Sequence, residues 1–247
     1  MESAVATAAV IGCGDVSIVH LEAIAAVAEA QLIAVCDADA VTAAAVARDR
    51  EVVPFTDHRQ MLQTLRPDVV HICTLHDQHA QLAIDCLEAG VSVILEKPLA
   101  HNVSEADRVI AAADRHPNVK IGVCLQNRYN ATVQAVHALL ASDELGAVVG
   151  GSATLMWHRT PEYYRASSWR GQFRRSGGGV LINQAIHTLI SCSGSSATSL
   201  TFGAMLAAMA STMMASTSKT PPTWFSTTNR VHEACSSPLS PMSSTRP

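Results

Sequence analysis

Up to about residue 125 the apolar positions follow two alternating rhythms. Short, nearly unbroken apolar runs read as strands: Val5–Ile11, Gln31–Cys36, Asp68–Thr74, Val91–Leu95 and Lys120–Leu125, with a brief extended piece at Pro54–Thr56. Between them the spacing turns helical over Ser17–Val27, Ala40–Arg48, Asp57–Leu65, His76–Ala89 and Ser104–His116, with Ser104 expected as the N-cap of the last. Strands as apolar as VVHICT and VSVIL fit burial on both faces. Alternation on this scale predicts an α/β fold, a doubly wound parallel sheet with helices on both sides.

Beyond residue 125 the rhythm changes. A helix is expected over Ala131–Ala141, a longer strand over Ala147–His158, an aromatic and arginine-rich loop over Thr160–Gly179, and a helix over Val180–Leu189. This reads as the start of a second, α+β domain. From about residue 190 to 247, roughly two residues in five are Ser or Thr and Glu233 is the only acid, a composition that predicts disorder. The expected division is therefore 1–125, 126–189 and 190–247.

Composition narrows the function classes. Of 247 residues, 48% are apolar and 15% charged, which suits a globular protein. The net charge of −4 and the lack of a basic run argue against nucleic-acid or membrane-surface partners. Seven scattered cysteines without a CxxC pair point to a reducing, cytoplasmic setting and to no metal centre. The N-terminus enters a strand pattern at once, with no basic leader. No apolar stretch reaches the roughly 18–20 residues of a membrane span.

The first strand ends in AVIGCGDVSIVH. Gly12 permits a tight turn, and Gly14 lets a pyrophosphate approach the N–H groups at a helix N-terminus. Ser17 occupies the third glycine position of GxGxxG. Asp37 ends the second strand, where an acid holds a ribose 2′-hydroxyl and repels a 2′-phosphate; this favours NAD over NADP. Cys13, inside the turn, reads as a small apolar filler, and His20 on the following helix as a packing residue. Further on, VILEKPLA sets Glu96 and Lys97 just past the carboxyl end of a strand, the ligand-binding edge of such a sheet. A lysine there can help to remove a hydroxyl proton once its pKa, ordinarily about 10.4, has fallen.

With GCGDVSxxH, Asp37, CTLHDQHAQLA, LEKPLA and GGGVLINQAIH in this order, the chain resembles the Gfo/Idh/MocA family of NAD(P)-dependent oxidoreductases over about residues 5–189. That family includes glucose–fructose oxidoreductase and inositol dehydrogenase. The resemblance implies a Rossmann domain followed by an α/β domain built on an open sheet, with hydride exchanged between nicotinamide and a carbinol of a sugar, inositol or related polyol. It also implies homo-oligomers formed through the second-domain sheet, most of which is missing here. It assigns Gly12, Gly14, Asp37, Thr74, His79 and Glu96 to the cofactor and Lys97 to catalysis. Leu75 stands where family members usually carry proline. Asn183 and His187 match the D-x-x-x-H pair that completes the site, with Asn in place of Asp. An amide orients a hydroxyl but takes no proton, so the acid–base role falls to His187, supported by Lys97. At i, i+4 the two are expected on one helix face. Arg128, Tyr164 and Trp169 are further substrate candidates, from QNRYN and YYRASSWRG.

At Ile190 the resemblance stops. One codon choice for ISCSGSSATS, displaced by one base, reads DLLQWLLGDV, an amphipathic helix end of the kind the family carries there. The expectation is a frameshifted, truncated reading from about residue 190. Binding of NAD without turnover, or a non-functional truncated family member, is then the alternative to a working dehydrogenase.

Overall fold

The computed structural model describes residues 5–142, 144–146, 154–167 and 169–193. Six parallel strands form the sheet: β1 (Ala6–Ile11), β2 (Ala30–Cys36), β3 (Val53–Phe55), β4 (Val69–Ile72), β5 (Ser92–Glu96) and β6 (Ile121–Cys124). Their order is β3-β2-β1-β4-β5-β6, the doubly wound Rossmann arrangement. The helices between them are α1 (Ser17–Ala26), α2 (Ala40–Arg50), α3 (His58–Leu65), α4 (His79–Glu88) and α5 (Val103–Arg115).

The alternation of side chains along each strand builds two separate cores. In β1, Ala8 and Val10 face α1 and α2, packing with Leu21, Ile24 and Ala47. Ala9 and Ile11 face the other way, into a larger core with Met61, Leu62, Ile84, Leu87, Val93 and Val109 from α3, α4, β5 and α5. Burial on both faces explains why these strands show no polar alternation.

Helix starts follow capping chemistry. Asp39 accepts from Val41 and Thr42 N–H, and Asp57 accepts from Arg59 and Gln60 N–H. The N-cap of α5 is Asn102, which accepts the N–H of Glu105 at 2.9 Å. The expected Ser104 lies one residue inside the helix instead. Helix α4 starts at His79 rather than His76, because residues 75–78 form a turn that carries His76 elsewhere.

After β6 come a 3-10 turn (Gln126–Tyr129), α6 (Ala131–Ala141), α7 (Pro161–Arg165), α8 (Phe173–Ser176), α9 (Val180–Asn183) and α10 (Ile186–Ser193). The single helix expected over 180–189 is thus two, with Gln184 and Ala185 as a buried break, and Asn183 and His187 do not share one helix face. The strand expected over 147–158 falls partly outside the described residues; 154–160 carry no strand pairing. Residues 194–247, most of the Ser/Thr-rich stretch, also lie outside them. Among the described residues, no helix is long and apolar enough to cross a membrane.

Candidate functional site

The sheet changes direction between β1 and β4, and the glycine turn sits at that switch point, where open α/β sheets bind ligands. Gly12 has φ +91°, and a Cβ there would stand 2.8 Å from the backbone carbonyl of Cys73 and 2.9 Å from Thr74 Cγ2. Glycine is therefore obligatory at this position for the closeness of β1 to the end of β4. Gly14 is different: nothing lies within 4 Å of where its Cβ would be. The space it leaves is beside the N-terminus of α1, whose N-cap, Val16, supplies no capping side chain. Those first-turn N–H groups suit a pyrophosphate.

Asp37 is held at both oxygens. Oδ2 accepts the Cys13 N–H at 2.8 Å and Oδ1 the Asp39 N–H at 2.9 Å, so the carboxylate ties the glycine turn to the end of β2. Burial and then Asp37 push the Cys13 thiol up to about 11, which makes it an inert filler. Thr74 Oγ1 is buried and has no partner among the described residues. An orphaned hydroxyl beside the turn and the open space at Gly14 fit a bound dinucleotide.

His79 is fully buried. Its Nδ1 lies 2.7 Å from Pro98 O and its Nε2 3.2 Å from Thr74 O, so it braces the two loops. Burial lowers its pKa, against the opposing pull of its contacts to the Pro98 and Thr74 carbonyls.

The Glu96–Lys97 step leaves the end of β5. Lys97 Nζ donates to Asn183 O at 2.8 Å and to Asn183 Oδ1 at 2.9 Å. Burial lowers the Lys97 pKa against the opposing pull of Glu96, the direction that proton chemistry requires. His187, in α10, is shifted down by burial and then by the Lys97 charge, with Glu96 opposing. Its Nδ1 is buried and lacks a partner among the described residues. A small cleft of about 150 Å³ gathers Thr74, Glu96, Lys97 and Asn183 with Tyr163, Trp169 and Arg170. A larger cleft, about 430 Å³, runs between α1 and α2 from Cys13 to Arg50. It contains none of the Lys97 cluster, which lines the smaller cleft.

Two of the substrate candidates sit elsewhere. Arg128 is exposed on the 3-10 turn, its carbonyl accepting from Gln134 Nε2. Tyr164 packs edge-on against Tyr163 at 5.2 Å, and it is Tyr163 that lines the cleft. Adjacent residues on the short α7 point apart, a distinction that the YYR sequence does not carry. Three further residues contribute. His76 Nδ1 donates to Ser176 O at 2.9 Å and its ring meets Trp169 at 4.8 Å. Arg170 spans from the cleft to Asp15 in the glycine turn, at 3.8 Å. His20 contacts Glu96. His20 and Arg170 had left signals, the H of GCGDVSxxH and the last R of YYRASSWRG.

Residues 6–123 match the oxidoreductase family described as NAD-binding Rossmann fold, and residues 133–192 match the GFO/IDH/MocA C-terminal domain. The chain belongs to the Gfo/Idh/MocA oxidoreductase family. Among curated members it is 30% identical to inositol 2-dehydrogenase of Rubrobacter xylanophilus over 183 residues, 73% of this chain and 49% of that one. It is 33% identical to D-apiose dehydrogenase of Paraburkholderia graminis over 145 residues, 58% of this chain and 38% of the relative. The WlbA dehydrogenase from Bordetella pertussis, solved in complex with NADH and UDP-GlcNAcA, superposes with a TM-score of 0.70 at 30% identity, covering 76% of this chain and 57% of that one. The chain thus spans about half the length of the curated Gfo/Idh/MocA inositol dehydrogenases it matches.

Proposed function

We propose that this protein is an NAD-dependent oxidoreductase acting on a secondary hydroxyl of a sugar, inositol or related polyol. The observation that carries the reading is the Lys97–Asn183 pair at the carboxyl edge of β5, with His187 within reach of its charge. Bound NAD supplies the hydride acceptor. Gly12, Gly14, Thr74 and the start of α1 would hold it, with Asp37 shaping the turn and favouring NAD over NADP. Glu96 would sit at its nicotinamide end.

Asn183 fixes the Lys97 ammonium by two contacts, so that its remaining proton is directed at a substrate hydroxyl. His187, kept neutral by burial and Lys97, takes the hydroxyl proton as the carbinol hydrogen departs. Tyr163 and Trp169 offer aromatic surface to a sugar ring, and Arg170 a cation at the mouth of the cleft.

Titration of the purified chain with NADH, followed by turnover on a panel of inositols, hexoses and nucleotide sugars, tests the reading. NADH binding with hydride transfer to at least one class is expected. Binding without transfer to any would leave an NAD-binding protein and overturn the enzyme assignment.

A further inference from the structure

A buried polar chain runs beneath the cleft, and the proposed reaction uses only its last member. It starts at His71 in β4, passes through His20 in α1 and ends at Glu96 in β5. His71 Nδ1 and His20 Nδ1 are 2.9 Å apart, with the rings perpendicular. His20 Nε2 lies 3.1 Å from Glu96 Oε1, and Glu96 Oε2 accepts the Lys97 backbone N–H at 3.2 Å. The two histidines are 7% and 8% exposed. Three elements that are distant in sequence thus meet at one carboxylate.

The protons of the chain can be assigned. Burial and then His20 push His71 down to about 4, so its ring is neutral near pH 7. Burial alone would raise the pKa of Glu96, but the His20 hydrogen bond and charge, with Lys97, outweigh it and hold the pKa below the ordinary value. A carboxylate only accepts, so His20 Nε2 carries a proton. Between the two Nδ1 atoms one ring must donate. Either His71 Nδ1–H donates to a neutral His20, or a protonated His20 donates to His71. In both states the contacts close. A histidine that only filled space on α1 would cost desolvation that a leucine avoids.

We infer that His20 and His71 are positioning residues, which lock the Glu96 carboxylate and, through it, the Lys97 backbone that delivers Nζ to Asn183. The inference rests on the functional reading above, in which Glu96 and Lys97 face the nicotinamide and the substrate. Cys124 of β6 stands against the same carboxylate. It leaves the chain intact, because burial and then Glu96 push its thiol up to about 11.

The test uses the full chain, NADH fluorescence titration and long-range 1H–15N spectra of the imidazoles. His20→Leu, close in volume, is expected to weaken NADH binding about tenfold, and His20→Gln, whose amide N–H can reach Glu96, to recover most of it. A space-filling role predicts the reverse ranking, with Leu harmless and Gln no better; that result overturns the inference. In the wild-type chain His20 Nε2 is expected to be protonated at neutral pH, and its signals to move in Glu96→Gln. An unprotonated Nε2 overturns the inference even if the His20 variants fail to fold. Lys97→Ala separates the two levels. Turnover that survives Lys97→Ala sinks the functional reading, whereas turnover lost there with His20→Leu indistinguishable from wild type sinks the positioning role alone.

Discussion

Lys97 Nζ donates to both the backbone carbonyl and the side-chain oxygen of Asn183, across 86 residues of chain. The bidentate grip spends two of the three ammonium protons on one residue and leaves the third for a ligand. It also fastens the segment after residue 160 to the end of β5. The cleft is therefore assembled by the contact that equips it.

Lys97→Ala is expected to abolish turnover, because in the proposed reaction the ammonium touches the reacting hydroxyl, and to leave NADH affinity within about threefold, because the glycine turn is unaffected. Steady-state kinetics beside an NADH titration checks both halves. Unchanged turnover would remove Lys97 from the mechanism.

The field of Lys97 on His187 makes a separate prediction. Lys97→Met removes a charge that disfavours imidazolium, so the His187 titration should move up toward the ordinary 6.5 while burial still holds it below that value. An NMR titration of the His187 ring reads this without any turnover. A His187 pKa that did not move would place the two groups out of electrostatic contact.

Gly12→Ala and Gly14→Ala should separate fold from ligand. At Gly12 the new methyl meets the Cys73 backbone at a positive φ, a cost of about 1–3 kcal/mol in unfolding free energy. At Gly14 the methyl meets nothing in the protein, so the melting temperature should hold while NADH binding weakens. Thermal melts and NADH titrations distinguish the two; equal melting losses would contradict the open space at Gly14.

Stability should fall on acidification between about pH 6.5 and 4. Burial holds His71 and His76 down to about 4 in the folded chain, whereas the unfolded chain binds those protons near 6.5. Folding is therefore fully supported above 6.5. Each histidine then subtracts up to about 1.4 kcal/mol for every pH unit below it, until its folded pKa is reached. Denaturant unfolding at a series of pH values, with His76→Gln expected to lessen the slope, provides the check. An unchanged slope in that variant would show that His76 is not buried neutral.

Gly177 is hemmed in more tightly than Gly12: at φ +75°, a Cβ there would run into the His101 carbonyl oxygen. Gly177→Ala should push the α8–α9 turn off the loop after β5 and break the Lys97–Asn183 grip. Faster amide exchange over 173–193, with the sheet still protected, is the expected signature.

Much of this was legible in the sequence. The strand runs and the GxG turn located β1 to β6 to within a residue or two, because a doubly buried sheet demands continuous apolar stretches and a phosphate turn demands glycine. EKP and NQAIH likewise marked Lys97, Asn183 and His187. The helix break at Gln184 and Ala185 was not legible, since VLINQAIHTL keeps a helical rhythm through it. Nor was the choice of Tyr163 over Tyr164, which depends on the direction in which a five-residue helix is packed.

The sequence alone determined the order of the elements, the glycine turn and the chemical types at the sheet edge, because each follows from spacing along the chain. Only the tertiary structure decided that His79 is a brace, that Asp37 holds the turn by both oxygens, and that His71, His20 and Glu96 form one chain. Those are contacts between segments that meet only once the sheet has closed its strand order, and burial there sets which nitrogen carries a proton. No pattern local to any one segment encodes that.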